Sequence, residues 1–149
     1  MRRKVTHTDA EWLEILGRER YDVMRRKGTE RAWSGEYCEI KEAGLYRCAA
    51  CDTELFRSET KFDSGTGWPS FFAPVDENLV RLEDDHSFGI RRTEVLCATC
   101  DSHLGHVFED GPPPTGLRYC INSLALELER ESGDAERPSP ARRWMSESR

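Results

Sequence analysis

Four of the six cysteines in this 149-residue chain form two Cys-x-x-Cys pairs, Cys48/Cys51 and Cys97/Cys100. A turn with two intervening residues aims two sulfurs at one point, and two such turns supply the four thiolates of a closed tetrahedral zinc site. Each pair follows a strand-like run, Leu45-Tyr46-Arg47 before the first and Val95-Leu96 before the second, so each is expected in a turn at a strand end. About 45 residues separate the pairs, more than in a compact zinc ribbon, and a shared ion would close a long loop between two hairpins. Redox-active pairs or plain buried thiols are the alternatives. A catalytic metal is disfavoured because four thiolates leave no position for water. The expectation is one structural zinc per chain on Cys48, Cys51, Cys97 and Cys100, which leaves Cys38 and Cys120 unexplained.

Three further segments carry side chains suited to chemistry. In Phe62–Phe72, Gly65 and Gly67 precede Trp68 and Pro69, a flexible path followed by a stiff one that can present an indole in a fixed pose. Such a plate suits a methyl or sulfur group, or it plugs the core. In Asp101–Gly111, His103 and His106 hold two of the four imidazoles of the chain. Imidazole changes charge near neutral pH and suits acid-base work, although a surface or structural role is the default for such a pair. In Arg118-Tyr119-Cys120-Ile121-Asn122, strand alternation puts Arg118, Cys120 and Asn122 on one face. There a guanidinium favours the thiolate and an amide supplies hydrogen bonds, although a lone cysteine in a strand is commonly inert core.

The elements that position these groups are short. Thr8-Asp9-Ala10-Glu11 has the form of a capping box, followed by Trp12, Leu13 and Leu16 at helical spacing until Gly17 interrupts. A second helical stretch runs through Tyr21, Val23 and Met24 to a stop at Gly28, with Arg25, Arg26 and Lys27 in its last turn. From about Gly35 the pattern becomes brief, partly alternating runs between Gly, Pro, Asp and Ser, which predicts antiparallel strands. The fold class is therefore mainly β, with zinc-stapled antiparallel sheets forming a sandwich-like or distorted barrel arrangement behind short N-terminal helices. The divisions are an N-terminal helical segment at 1–27, a zinc-binding catalytic β domain at 28–129, and a disordered tail at 130–149 whose composition cannot bury enough apolar surface to order itself. No function is assigned to Trp144-Met145 within that tail.

Composition narrows the functional classes. A hydrophobic fraction of 37% and a charged fraction of 34% suit one domain with a modest core that a metal would help to fix. The formal charge of −6 argues against nucleic acid, because phosphate binding calls for a basic surface. The basic amino terminus has no apolar run behind it, so no export signal is supported, and no stretch approaches the roughly 20 apolar residues of a membrane span. A cytoplasmic location, with no membrane partner, is the expectation, and there Cys-x-x-Cys pairs indicate metal or redox work.

Taken together, Gly65-Thr66-Gly67-Trp68-Pro69-Ser70-Phe71, Ser102-His103-Leu104-Gly105-His106-Val107-Phe108, Asp110-Gly111-Pro112 and Arg118-Tyr119-Cys120-Ile121-Asn122-Ser123 resemble the methionine-R-sulfoxide reductase B family. The resemblance runs from about Gly28 to Leu128 and includes both Cys-x-x-Cys turns in order. It implies a zinc-stapled β fold that reduces the R epimer of methionine sulfoxide, in proteins or peptides, to methionine, with thioredoxin or another thiol reductant as partner. Cys120 matches the family's nucleophile. Trp68 matches the indole that receives the substrate methyl group, and Phe71 beside it is the second expected substrate-binding residue. His103, His106, Asp110, Arg118 and Asn122 fall on positions that line the family's site. On this reading protonated His103 donates to the sulfoxide oxygen, assisted by His106 and Asp110, and Cys120 is left as a sulfenic acid.

Two positions depart from the family pattern. Many members carry a resolving cysteine inside the glycine-rich segment, where this chain has Thr66, and Glu109 stands where the family often has proline. Resolution then falls to Cys38 or directly to thioredoxin. A noncatalytic zinc-binding adaptor that docks a peptide on its aromatic surface is the competing function.

Overall fold

The computed structural model describes residues 4–131 and Pro140. Helix α1 (Asp9–Met24) opens with the expected capping box: the Glu11 N–H donates to Thr8 Oγ1 at 3.1 Å and the Thr8 N–H donates to Glu11 Oε1 at 2.9 Å. Gly17, at φ 80° and ψ 164°, breaks it into two helical pieces, a backbone region that glycine enters without steric cost. Trp12, Ile15 and Leu16 are buried from the first piece and Tyr21, Val23 and Met24 from the second. The helix ends at Met24 with Arg25 as its C-cap. Arg25, Arg26 and Lys27 therefore lie beyond the last turn instead of within it, because Lys27 takes a left-handed φ of 60° and Gly28 N–H closes back onto the Asp22 carbonyl at 2.9 Å.

Nine strands follow among the described residues. β1 (Gly44–Cys48), β2 (Glu54–Arg57) and β9 (Leu126–Arg130) form one antiparallel sheet in the order β2-β1-β9. β3 (Lys61–Phe62), β4 (Ser70–Phe71), β5 (Val80–Asp85), β6 (Arg92–Cys97), β7 (His103–Phe108) and β8 (Arg118–Ile121) form the other, ordered β3-β4-β8-β7-β6-β5 and antiparallel throughout. Both strand orders have free ends, so among the described residues the mainly β expectation holds as two open sheets and no barrel closes.

One hydrophobic core joins the sheets and the helix. Phe71 of β4 stacks on Phe56 of β2, with centroids 4.5 Å apart, and meets the Tyr46 ring of β1 edge-on at 5.1 Å. Each of these rings is fully buried, and at about 25 cal/mol per Å² that burial favours docking of the sheets. Arg20 ties α1 to the other end of the core, donating to the carbonyls of Leu124 at 2.7 Å and Leu126 at 3.3 Å. No helix among the described residues is long and apolar enough to cross a membrane. The tail expected at 130–149, with Trp144-Met145, lies outside the described residues from 132 onward except for Pro140.

Candidate active site

The two Cys-x-x-Cys turns are built alike. After the second cysteine of each stands an aspartate in the left-handed region, Asp52 at φ 69° and Asp101 at φ 61°, a conformation that Asp tolerates better than most residues. In the first turn Asp52 N–H donates to the Cys48 carbonyl and Cys48 N–H to the Thr53 carbonyl, both at 2.8 Å. In the second, Asp101 N–H donates to the Cys97 carbonyl at 2.8 Å and Cys97 N–H to the Ser102 carbonyl at 2.9 Å. Hydroxyls sit beside two of the sulfurs: Thr53 Oγ1 is 3.0 Å from Cys51 Sγ, and Ser102 Oγ is 3.1 Å from Cys100 Sγ. The four sulfurs lie within 4.8 Å of one another, with Cys48–Cys100 at 3.8 Å and Cys51–Cys97 at 3.5 Å. Zinc–sulfur bonds of about 2.3 Å put tetrahedral sulfurs about 3.8 Å apart, so this donor set is compatible with a zinc ion.

Cys120 lies on the other side of β7 from β6, paired across β8 with Ser70 of β4 and His106 of β7. It opens into a cavity of about 260 Å³ lined by Thr66, Trp68, His106, Phe108, Arg118 and Asn122 among others. Alternation along β8 turns Tyr119 and Ile121 into the core and leaves Arg118 and Cys120 for the cavity. Burial pushes the Cys120 thiol above its ordinary pKa; the Arg118 charge and the Thr66 hydroxyl pull it down without reversing the shift. The thiolate that sequence reasoning expected from Arg118 alone is thus opposed by desolvation.

Each wall of the cavity is fixed from behind. Trp68 donates its indole N–H to the Glu30 carbonyl at 3.0 Å. Asn122 donates Nδ2–H to the Leu104 carbonyl at 3.1 Å and accepts the Glu30 N–H on Oδ1 at 3.0 Å. Glu30, itself buried, also accepts the Leu124 N–H at 2.9 Å. Arg118 stands over the Phe108 ring at 4.3 Å and forms a two-pronged pair with Asp110, Nε to Oδ1 at 2.9 Å and Nη2 to Oδ2 at 3.2 Å. The guanidinium beside Asp110 holds its carboxyl below the usual range. Asp110 is exposed and absent from the cavity lining, and its contact with the lining is the pair with Arg118.

The two histidines occupy different positions. On a regular strand, residues three apart face opposite sides. Here Leu96 faces His103 while Val95 faces Gly105, so Leu104 is the extra residue of a β-bulge. The bulge brings both rings to one side, centroids 5.4 Å apart. His106 lines the cavity, and its Nε2 is 2.8 Å from Asp85 Oδ2. His103 is buried behind it, with Nδ1 at 2.8 Å from Glu94 Oε2 and Nε2 without a hydrogen-bond partner among the described residues. Desolvation holds the His103 pKa below its ordinary value, against the pull of Glu94. Asp85 is held well below the carboxylate range by hydrogen bonds from Ser87 and by His106.

Other expected residues fall elsewhere. Phe71 is a core residue that lines neither cavity, since its place on β4 points the ring at Phe56 and Tyr46. Glu109 is exposed. Cys38 is half-buried and lines a second cavity of about 600 Å³, whose wall also includes Trp68. Lys61 Nζ donates to the carbonyls of Cys38 at 3.3 Å and Ile40 at 2.9 Å and so fixes that loop. Glu30, Asp85, Glu94 and Lys27 were missed in the sequence. Of these only Thr29-Glu30, between a helix stop and the aromatic-glycine loop, could have drawn notice as an acid in an otherwise basic stretch.

The SelR domain profile matches residues 16–130. The peptide methionine sulfoxide reductase MsrB of Pseudomonas syringae pv. syringae is 58% identical over 125 residues, covering 84% of this chain and 95% of that protein. The enzyme of the same name from Hahella chejuensis is 54% identical over 133 residues, 89% of this chain and 96% of that protein. A third, from Methanosarcina mazei, is 54% identical over 128 residues, 86% and 91% of the two chains. These matches span both cysteine turns and the whole Cys120 cavity, and the chain belongs to the SelR domain family of MsrB peptide methionine sulfoxide reductases.

Proposed function

We propose that this chain reduces methionine-R-sulfoxide in oxidised proteins and peptides to methionine, with Cys120 as nucleophile. The observation that carries the reading is one cavity of side-chain size into which Cys120, His106, Arg118 and the Trp68 indole all open, in a chain whose relatives bear that enzyme's name. The methyl group rests on Trp68 while Cys120 sulfur attacks the sulfoxide sulfur. His106 is the donor best placed for the sulfoxide oxygen: Nε2 is spent on Asp85, and Nδ1 remains for the cavity. Asp85 holds the ring in place through that contact, and His103 stands behind as the second ring of the pair. The balance is one thiol and one sulfoxide giving one sulfenic acid and one thioether. The oxygen moves from methionine sulfur to Cys120, two electrons move the other way, and the thiol proton ends on the new hydroxyl.

Zinc on Cys48, Cys51, Cys97 and Cys100 supplies a structural crosslink between the β1–β2 and β6–β7 turns. Cys38 condenses with the sulfenic acid, forming a disulfide and water, and a thioredoxin-type dithiol in the cytoplasm then reduces that disulfide. Cys38 is the one cysteine outside the zinc set besides Cys120, and both open on cavities that Trp68 lines.

The test is a single-turnover assay on peptides carrying resolved R or S sulfoxide. The expected result is one methionine per chain from the R peptide alone, none from Cys120→Ser, and a full first turnover but no thioredoxin-supported recycling from Cys38→Ser. Methionine formation by Cys120→Ser, or peptide binding without any product, defeats the reading.

A further inference from the structure

We propose that Lys27 is a positioning residue for the reaction, its ammonium binding Glu94 and Asp85 together and through them fixing the orientation of His103 and His106 and the proton on His103. The inference rests on the function proposed above and names a residue beyond it. Lys27 Nζ lies 3.1 Å from Glu94 Oε1 and 3.5 Å from Asp85 Oδ1. Their second oxygens are the ones that meet the histidines, Oε2 on His103 Nδ1 and Oδ2 on His106 Nε2, each at 2.8 Å. One cation therefore sits behind two carboxylates, and each carboxylate faces one imidazole.

The need for that cation follows from burial. The Asp85 and Glu94 side chains are 2% and 7% exposed, and two like charges so placed require compensation. Asp85 has a second partner in Arg92 at 3.5 Å, whereas among the described residues Lys27 is the one lysine or arginine in ion-pair contact with Glu94. Glu94's charge and hydrogen bond, with Asp85, outweigh burial and hold the Lys27 pKa above its ordinary value. The left-handed φ of 60° at Lys27, costly for a residue with a long side chain, turns the chain out of α1 at the point where the ammonium meets the carboxylates.

Among the described residues, the charged and titratable groups placed against the pair include Asp85 from β5, Arg92 and Glu94 from β6, and Cys120 and Arg118 from β8, with Asp110 on Arg118. Removing the Lys27 charge leaves the other groups in place, so His103, whose charged form Lys27 disfavours, faces a less compensated Glu94 and holds its proton more tightly. Its titration point moves to higher pH. Lys27 is 42% exposed, so solvent screening limits the shift to roughly one pH unit.

The experiment follows the imidazole resonances of His103 by NMR against pH in the full chain, alongside single-turnover reduction of an R-sulfoxide peptide. Lys27→Met and Lys27→Gln both drop the charge, so either one suffices if the other folds poorly; Lys27→Arg keeps it. The neutral variants are expected to move the His103 titration up by roughly one pH unit and to lower the single-turnover rate about tenfold, with Lys27→Arg close to the parent. A folded neutral variant with an unmoved His103 titration overturns the proposal, whether or not its rate falls. Failure of the parent chain to form methionine would instead strike the function itself.

Discussion

His106 and Cys120 are register partners on adjacent strands β7 and β8, so the sulfur and the imidazole that face the cavity are set against each other by backbone pairing alone. On the function proposed above, a donor delivered by strand register would need no loop closure to reach its place, which is preorganisation of the kind that lowers reaction barriers.

His106→Gln is expected to slow single-turnover methionine formation by about 10² to 10⁴, the usual worth of a positioned proton donor. His103→Gln, removing a ring that stands behind the cavity, should cost roughly tenfold. Rapid-quench product analysis on both variants, with circular dichroism as the check on folding, decides between them. A larger loss at His103 than at His106 would return the donor role to His103.

Gly105→Ala tests how close the strands lie. A Cβ at Gly105 would overlap the Cys120 carbonyl on β8, so the strands must part at the nucleophile. Overpacking of this kind costs about 1–3 kcal/mol, which calorimetry would read as a Tm lower by roughly 3–10 °C. Because the displaced atom belongs to Cys120, activity should fall beyond what the lost stability explains. An alanine variant with parental Tm and rate would show that the strands relax freely.

Much of this site was legible in the sequence, and the limits have physical causes. The alternation of Arg118, Cys120 and Asn122 depends only on strand period, and the capping box at Thr8 and Glu11 only on local spacing. Both appear where pattern places them. The shared side of His103 and His106 was hidden, because strand period puts residues three apart on opposite faces and only the bulge at Leu104 reverses that. Asp85 and Glu94 were invisible for a different reason. Each lies in a charged stretch, Glu83-Asp84-Asp85 and Arg91-Arg92-Thr93-Glu94, and nothing local separates the buried acid from its exposed neighbours. Phe71 was placed against substrate because it is close in sequence to Trp68, while the β3–β4 pairing turns it into the core.

Arg118→Met and Asp110→Asn should move the Cys120 thiol in opposite directions. Burial raises its pKa and Arg118 lowers it, so losing the guanidinium raises it further and reduces the thiolate fraction at any given pH near 8. Asp110 partly neutralises Arg118 through the two-pronged pair, so an asparagine there lets more of the positive charge reach the sulfur and lowers the Cys120 pKa. The pH dependence of the iodoacetamide alkylation rate, read in a Cys38→Ser background, measures both. Shifts of the same sign in the two variants would mean that Arg118 is held in the cavity by Asp110 more than it is neutralised by it.

Removing the metal should unfold the stitching between sheets and leave Cys120 chemistry lost only as a consequence. Cys48, Cys97 and Cys100 are buried, and the two turns come from β1–β2 in one sheet and β6–β7 in the other. A bound zinc therefore stabilises a contact that is distant in sequence, and chelation exchanges it for a cluster of buried thiols that repel when ionised. Cys97→Ser is expected to release about one zinc per chain and to lower Tm by at least about 10 °C. Metal analysis with calorimetry gives both numbers. His103 lies three residues beyond Cys100 on the strand that leaves the second turn, so a metal-free chain that keeps its fold should still lose rate through the histidine pair. A parental Tm and parental rate without stoichiometric zinc would show that the hydrogen bonds within each turn, and not the ion, hold the two sheets in register.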